Sequence, residues 1–122
     1  MKLGDYDAAT TVLAKAIHTA PSTPIFYDLR AACLLHSNNV TQALDDAMNC
    51  TKLNPDWARG WARLGAAQLC MGHHRAAVSA YQRALELMGG SPSKEAQLGL
   101  QLAKEALAGQ GDRRAAVHDQ EL

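Results

Sequence analysis

Two arginines on one predicted helix are the residues of this sequence best suited to chemistry. Arg59 and Arg63 are four residues apart, a spacing that places both guanidinium groups on one face of a helix. Like charges at this spacing cost about 0.2–0.5 kcal/mol, and we expect no nearby acid of the same helix to relieve that cost. Guanidinium groups bind carboxylates through paired, charge-assisted hydrogen bonds. The pair therefore favours carboxylate capture, and the alternative is two ordinary solvated arginines.

A second set of residue types could form a catalytic site. Asp28, Cys33 and His36 lie on one predicted helix, and the three-residue step from Cys33 to His36 could bring a thiol beside an imidazole. No glycine-rich loop or backbone oxyanion donor is evident near them, and Cys33 falls at a position expected to be packed. We therefore predict that the chain is not an enzyme.

A metal site is the third possibility, at Cys70, His73 and His74. Adjacent histidines point to different sides of a helix, so we expect no metal site here and no cofactor. The chain has three cysteines, an odd number without metal-type pairing. This set fits reduced thiols in a cytosolic protein better than a disulfide framework.

The elements that would position these residues repeat along the chain with a lag of 34 residues. Pro21 and Pro55 are one lag apart. Small residues recur at the same lag, at Ala9, Ala43 and Ala77 and at Ala31, Gly65 and Gly99. Small side chains are needed where the two helices of a hairpin approach closely. A fixed lag of this size predicts stacked helical hairpins, an architecture that usually binds other proteins.

Turn-forming residues divide the repeats into helices. Gly4, Asn38 and Gly72 lie one lag apart, and all three tolerate the left-handed backbone that joins one helix to the next. From Gly109 onward polar residues break the phase, so we predict that residues 109–122 form a mobile tail, with a short frayed helix over the last dozen residues as the alternative. The predicted fold is all-α, with helices over residues 5–20, 24–37, 40–53, 56–71, 74–88 and 92–108.

The third copy resembles the tetratricopeptide repeat. The pattern Trp-x2-Leu-Gly, a turn glycine and Ala-x3-aromatic-x2-Ala falls on Trp61, Leu64, Gly65, Gly72, Ala77, Tyr81 and Ala84. The resemblance implies a right-handed superhelix of antiparallel helical hairpins with a C-terminal capping helix. It divides the chain into the second half of a first repeat (1–21), a second repeat (22–55), a third repeat (56–89), the capping helix (90–108) and the tail (109–122).

The resemblance also implies a concave groove, lined by fixed positions of the first helix of each repeat. The residues expected to face the groove are Ile25, Asp28, Leu29, Ala32, Leu35 and His36 in the second copy, Arg59, Ala62, Arg63, Ala66, Leu69 and Cys70 in the third, and Ser93, Ala96, Gln97, Leu100, Ala103 and Lys104 in the end helix. The residues that we assign to peptide binding are Leu29, Ala32 and His36 in the second copy, Arg59, Arg63 and Ala66 in the third, and Gln97 and Lys104 in the end helix. This mixture of apolar and basic side chains suits an extended peptide that carries carboxylates.

The stretch from Pro55 to Arg63 resembles cochaperones that bind the acidic C-terminus of the seventy- and ninety-kilodalton heat-shock chaperones, especially the chaperone-organising protein and its small glutamine-rich relatives. In these cochaperones a basic residue at each of two positions forms half of a carboxylate clamp, and the resemblance places Arg59 and Arg63 there. Leu29 stands where the family has an asparagine, and the lysine and asparagine of the first repeat would precede Met1. The resemblance thus implies a partial clamp for a heat-shock chaperone peptide. The alternative is a structural scaffold whose groove binds an unrelated peptide or helix.

Composition argues against several other functions. The 122 residues include 12 Lys+Arg and 12 Asp+Glu, so the net charge is zero and a basic nucleic-acid footprint is missing. No apolar run approaches the roughly 20 residues of a membrane span. Met1-Lys2-Leu3 leads into repeat sequence rather than into a signal peptide. We expect a cytoplasmic protein that binds neither nucleic acid nor membrane.

The predicted helix 5–20 has an apolar surface that a preceding helix would partly cover. Its members are Ala9, Val12, Leu13, Ala16 and Ile17. Exposed apolar patches favour association. We therefore predict a homodimer in which the N-terminal helices cover each other or exchange, or else fraying of this helix.

Overall fold

The computed structural model describes the backbone of residues 3–121 and the side chains of residues 4–110. Over this range the chain forms six α-helices and no strand, which confirms the predicted all-α class. The helices are α1 (Leu3–Thr19), α2 (Pro24–His36), α3 (Val40–Leu53), α4 (Ala58–Cys70), α5 (His74–Met88) and α6 (Lys94–Glu121). Apart from the end of α6, each helix boundary agrees with the prediction to within two residues. Consecutive helices pack against each other along the whole series.

Left-handed residues make two of the three predicted turns. Asn38, between α2 and α3, has a φ of 64°, and Gly72, between α4 and α5, has a φ of 81°. These conformations reverse the chain within a few residues. Gly4 was expected to form the first turn, but it lies inside α1, because α1 already begins at Leu3.

The last helix is longer than predicted. It continues to Glu121 rather than ending at residue 108. Glycine costs a helix only about 1 kcal/mol relative to alanine, and Arg113, Arg114, Ala115 and Ala116 follow as good helix formers. The mobile tail was predicted for residues 109–122. Most of these residues, from 111 on, lie outside the described side chains, so the mobility stays a prediction.

Paired aromatic hydrogen bonds repeat with the same lag as the sequence. The hydroxyl of Tyr27 donates to the carbonyl of Pro21 at 2.8 Å, and the indole N–H of Trp61 donates to the carbonyl of Pro55 at 2.7 Å. Each bond ties the first helix of a repeat to the loop before it. Because α2 and α4 begin in the same way, their corresponding residues present equivalent faces to the groove.

The core is built from small residues and one large ring. Ala31, Ala43 and Ala77 are fully buried, as expected for positions where helices meet. Tyr81 of α5 lies between Gly65 of α4 and Gly99 of α6, where an added Cβ would come within 2.8 Å and 2.3 Å of the ring. The recurring small residue at this repeat position therefore makes room for an aromatic side chain. This packing sets α6 beside α4 and creates the cleft described below.

Among the described residues, no helix combines the length and apolar character needed to cross a membrane.

Candidate functional site

The two arginines of α4 meet at a buried carboxylate from α2. Arg63 Nε donates a hydrogen bond to Asp28 Oδ1 at 2.8 Å. Arg59 Nε lies 2.8 Å from the other oxygen, Oδ2. The Asp28 side chain is 0% exposed, whereas those of Arg59 and Arg63 are 51% and 26% exposed. The site is therefore a carboxylate buried beneath two accessible guanidinium groups, a cluster that we call the Asp28 triad.

The triad corrects one expectation from the sequence and adds a contact that the spacing of the arginines could not show. The repulsion between Arg59 and Arg63 is relieved, but the relieving acid lies on the neighbouring α2 and not on α4. Asp28 was expected to line the groove surface, yet it is fully buried beneath the arginines. A carboxylate is kept ionised at such depth only when cations and hydrogen bonds compensate it. The arginine pair therefore has a structural role within the domain.

Only one of the two carboxylate oxygens of Asp28 accepts a hydrogen bond among the described residues. Oδ2 is buried and in ion-pair contact with Arg59, but it accepts no hydrogen bond from the described residues, because the Arg59 Nε–H does not point at it. No second carboxylate in the described part of the chain pairs with either arginine. Two positive charges and one negative charge leave the triad with a formal net charge of +1. This surplus charge faces the groove, where an anion can meet it.

Arg59 is also close to an aromatic ring. Its guanidinium carbon lies 5.9 Å from the ring centroid of Trp57, within the range of a cation–π contact. Trp57 is the N-cap residue of α4. The start of α4 was expected at residue 56, whereas the helix begins at Ala58 and its N-cap makes no side-chain hydrogen bond.

A cleft of about 100 Å³ opens beside the triad, between α4 and the start of α6. Its lining consists of Arg59, Ala62, Arg63, Ala66, Tyr81, Ser93, Glu95 and Ala96. Of the residues predicted to bind peptide, the cleft brings together Arg59, Arg63 and Ala66. Gln97 and Lys104 are exposed on α6 but do not belong to this lining.

Two members of the cleft were missed by the sequence reasoning. Tyr81 belongs to the second helix of its repeat, which the repeat pattern assigns to the core, and its ring forms part of the cleft. Burial raises the pKa of its hydroxyl, so it stays protonated over the physiological range. Glu95 lies in the first turn of α6, which begins at Lys94, two residues later than predicted, and it was not among the expected groove residues. The Oγ of Ser93 caps this helix by accepting a hydrogen bond from the Ala96 N–H at 3.1 Å.

The face of α2 beside the triad is apolar and accessible. Ile25 and Leu29, four residues apart, are both exposed, and Ala32 is half-buried. His36, at the end of α2, is exposed and stacks on Tyr6 of α1 with ring centroids 4.8 Å apart and planes 6° from parallel. Tyr6 was not among the predicted site residues. The groove thus has an apolar side on α2 and a basic side on α4.

Two predicted groove residues are instead in the core. Ala96 and Ala103 of α6 are buried in the cluster that contains Tyr81 and Ala77. Small residues on this side of α6 allow it to approach α5, and the bulkier Leu98 and Leu102 are left exposed. Ala96 still touches the floor of the cleft, whereas Ala103 contributes only to packing.

The thiols of Cys33 and Cys50 and the imidazole of His36 do not form a reactive group. Burial raises the pKa of Cys33, and burial with a smaller contribution from Asp28 raises the pKa of Cys50 to about 11, although Arg63 opposes both shifts. A thiol with a raised pKa is a poor nucleophile at neutral pH. His36 is stacked on Tyr6 and Asp28 is held by the arginines, so the three residues of the catalytic alternative have separate structural roles. No group of metal-ligating side chains occurs among the described residues.

Comparison with known proteins places these features in a family. The tetratricopeptide repeat model matches residues 58–87. The chain is 42% identical over 98 residues to the heat shock protein STI1 of Saccharomyces cerevisiae, a match that covers 79% of this chain and 16% of that protein. The chain therefore spans about a sixth of the length of this relative.

Two solved structures are similar over most of the chain. The tetratricopeptide domain of Sgt2 from Aspergillus fumigatus matches with a TM-score of 0.85 and 28% identity, covering 89% of this chain and 72% of the other. The first tetratricopeptide domain of Spaghetti (RPAP3), solved with the HSP90 peptide SRMEEVD, matches with a TM-score of 0.80 and 28% identity, covering 86% and 82%. The peptide was bound by that domain, and its sequence gives a defined ligand for a binding experiment.

Proposed function

Because this chain belongs to the tetratricopeptide repeat family, we propose that it is a cochaperone-type domain that binds the acidic C-terminal peptide of a heat-shock chaperone in its groove. One observation carries the proposal. Arg59 and Arg63 present accessible guanidinium groups side by side at the cleft, and their charge exceeds that of the buried Asp28. The surplus charge and the remaining N–H donors suit the carboxylates of such a peptide.

The remaining residues of the groove supply apolar contacts. Leu29 and Ala32 of α2 and Ala66 of α4 are at least partly accessible, and each can pack against an apolar side chain of the ligand. Gln97 and Lys104 on α6 would contact the peptide farther along the groove. The family is one of interaction modules rather than enzymes, so binding is the whole of the activity. We further propose a cytoplasmic location, where heat-shock chaperones meet their cochaperones.

Titration with the peptide SRMEEVD tests this function. We expect saturable binding that weakens as salt is added, because the contact is between charges near the surface. Arg59→Gln should weaken binding about tenfold while leaving the fold intact, because Asp28 keeps its hydrogen bond to Arg63. Arg75→Gln is the matched control, because Arg75 is an exposed arginine of α5 outside the cleft. Equal affinity of all three proteins, or no binding by any, would contradict the proposal.

The apolar face of α2 favours a second candidate function. Ile25 and Leu29 are exposed although both are large apolar side chains, and they could hold an amphipathic helix or an uncharged peptide. Such a scaffold would bind its partner with little dependence on salt. The salt series on SRMEEVD therefore separates the two functions.

We also propose self-association through α1. Val12 is 64% exposed, whereas Ala9, Leu13, Ala16 and Ile17 are partly covered. The uncovered surface is thus smaller than the sequence predicts, because α2 packs against α1. A weak homodimer fits this area better than an obligate one.

A further inference from the structure

The proposed function assigns peptide binding to Arg59 and Arg63 and gives no role to the negative charge of Asp28 beneath them. Asp28 approaches Arg59 and Arg63 through their Nε atoms, one carboxylate oxygen to each guanidinium. A guanidinium carries five N–H donors, so at least four on each arginine make no hydrogen bond to Asp28. The two guanidinium groups have enough hydrogen-bond donors for more than one ligand carboxylate. The net charge of the triad, however, is +1, which balances the charge of only one carboxylate.

The electrostatics of the cleft reinforce this limit. Oδ2 of Asp28 accepts no hydrogen bond from the described residues, so its negative charge is offset only by the nearby arginines. Glu95 also lines the cleft and adds a second negative charge at its edge. The first carboxylate of a ligand would neutralise the triad. A second one would meet two protein carboxylates, and the described lining of the cleft holds no further cation beside Arg59 and Arg63.

Building on the proposed function, we propose that Asp28 is a specificity-determining residue that limits the arginine pair to one ligand carboxylate. A peptide that ends in aspartate brings two carboxylates to the site, one on the main chain and one on the side chain. A peptide that ends in asparagine brings only the first, with almost the same shape. The groove should bind these two peptides about equally, and removal of the Asp28 charge should create a preference for the aspartate.

Four affinities test the inference. The peptides are SRMEEVD and SRMEEVN, and the proteins are the native chain and Asp28→Asn, which keeps the size of the side chain and one acceptor oxygen. We expect the native chain to bind the two peptides within about twofold of each other, because the second carboxylate gains little there. Asp28→Asn should bind SRMEEVD about tenfold more tightly than the native chain does, and should prefer it over SRMEEVN by about fivefold.

The control is Asp46→Asn. Asp46 is also a buried aspartate that pairs with an arginine, Arg30, but neither residue lines the cleft. Its replacement removes the same charge from the chain and should leave both affinities within about twofold of the native values. The salt dependence adds a second readout, because Asp28→Asn should bind SRMEEVD with a steeper dependence on salt, whereas a purely structural effect would not change the slope.

Distinct outcomes overturn the inference and the function on which it rests. A native chain that prefers SRMEEVD by more than about fivefold disproves the limit to one carboxylate while leaving the proposed function intact. Equal weakening of both peptides by Asp28→Asn would make Asp28 a positioning residue and would also disprove the inference. Failure of both proteins to bind either peptide disproves the function and the inference together. Should Asp28→Asn not fold, the preference of the native chain between the two peptides decides the matter.

Discussion

The chain contains two buried aspartates that bind arginines in different ratios. Asp46 of α3 pairs with one arginine, Arg30 of α2, whose Nε and Nη2 donate to its two oxygens at 2.7 Å and 2.8 Å. Asp28 of α2 divides its two oxygens between Arg59 and Arg63 of α4. The first contact joins the two helices of one hairpin, and the second joins neighbouring hairpins.

The ratio of charges separates a structural contact from a binding site. Around Asp46 the charges cancel, both oxygens are hydrogen-bonded, and the bond to Asp46 raises the pKa of Arg30. Around Asp28 one positive charge is left over and one oxygen accepts no hydrogen bond among the described residues. Arg30 and Asp46 also line a cavity, of about 520 Å³, but their matched charges leave no positive surplus there. An arginine surplus at an open cleft can hold a ligand.

Charge reversal should produce the largest effects, and it should destabilise the fold at both aspartates alike. Arg63→Glu and Arg30→Glu each place a carboxylate beside a buried aspartate, so each should lower the free energy of unfolding by about 3–5 kcal/mol in urea denaturation.

Restoring the fold then distinguishes the two sites. Two double variants should regain most of the lost stability, because each removes the buried aspartate charge that repels the new glutamate. These variants are Asp28→Asn/Arg63→Glu and Asp46→Asn/Arg30→Glu. Only the second should regain binding of SRMEEVD. Recovery of binding in both would mean that the Asp28 triad does not hold the peptide.

The pH dependence of stability should show a moderate effect that reports on the triad. The Cys50 thiol is buried close to α4, its Sγ about 3.1 Å from where a Cβ on Gly60 would lie, and its pKa is raised to about 11 from 9.0. Because the pKa of the Cys50 thiol is higher in the folded chain than in the unfolded one, the shift stabilises the fold fully at pH values below the unfolded pKa of 9.0. That contribution is lost as the pH rises from 9.0 towards about 11. Urea denaturation across this range should therefore show a loss of stability that Cys50→Ala reduces.

Cys70 provides the control for this pH profile. It is an exposed thiol on α4 that contributes to the raised pKa of Tyr81, so Cys70→Ala should keep the loss of stability due to Cys50 and alter only the part due to Tyr81. Asp28 contributes to the raised pKa of Cys50 and the two arginines oppose it. Asp28→Asn should accordingly lower the folded pKa of Cys50, so that the loss of stability becomes smaller and ends at a lower pH, whereas Asp46→Asn should not. The same loss in native chain and Cys50→Ala would show that another group titrates.

Self-association should show the smallest effect and should be independent of the triad. Val12→Glu places a charge on the exposed apolar position of α1 and should reduce dimer formation in sedimentation experiments at several concentrations. Ala14→Glu is the matched control on the same helix, since Ala14 is exposed and outside the apolar face. Neither change should alter the affinity for SRMEEVD. A native chain that stays monomeric at every concentration would refute the association.

Much of the fold could be predicted from residues that act locally. Asn38 and Gly72 mark the turns because they adopt a left-handed conformation at little cost, and Pro24 marks the start of α2 because its ring suits the first helical turn. Their spacing of one repeat was enough to predict stacked hairpins. The end of α6 was not predictable in this way, since glycine weakens a helix without necessarily ending it.

The candidate site was predictable only as a set of positions on helix faces. The accessible arginine pair followed from a four-residue spacing, which fixes the angle between two side chains on one helix. Nothing in that spacing could show that Asp28, on another helix, lies 2.8 Å from both guanidinium groups. Helical periodicity reports direction, whereas the distance between helices depends on packing, here on Tyr81 between Gly65 and Gly99 and on buried alanines.

The sequence by itself determined the helices, their turns, the repeat and the presence of a basic pair, because each depends on neighbours along the chain or on a fixed lag. Only the tertiary structure decided the charge of the site. It buried Asp28 beneath Arg59 and Arg63, brought Glu95 to the cleft, and withdrew Ala103 into the core. The Coulomb energy of a pair depends on its separation and burial. Neither quantity exists until the hairpins have stacked.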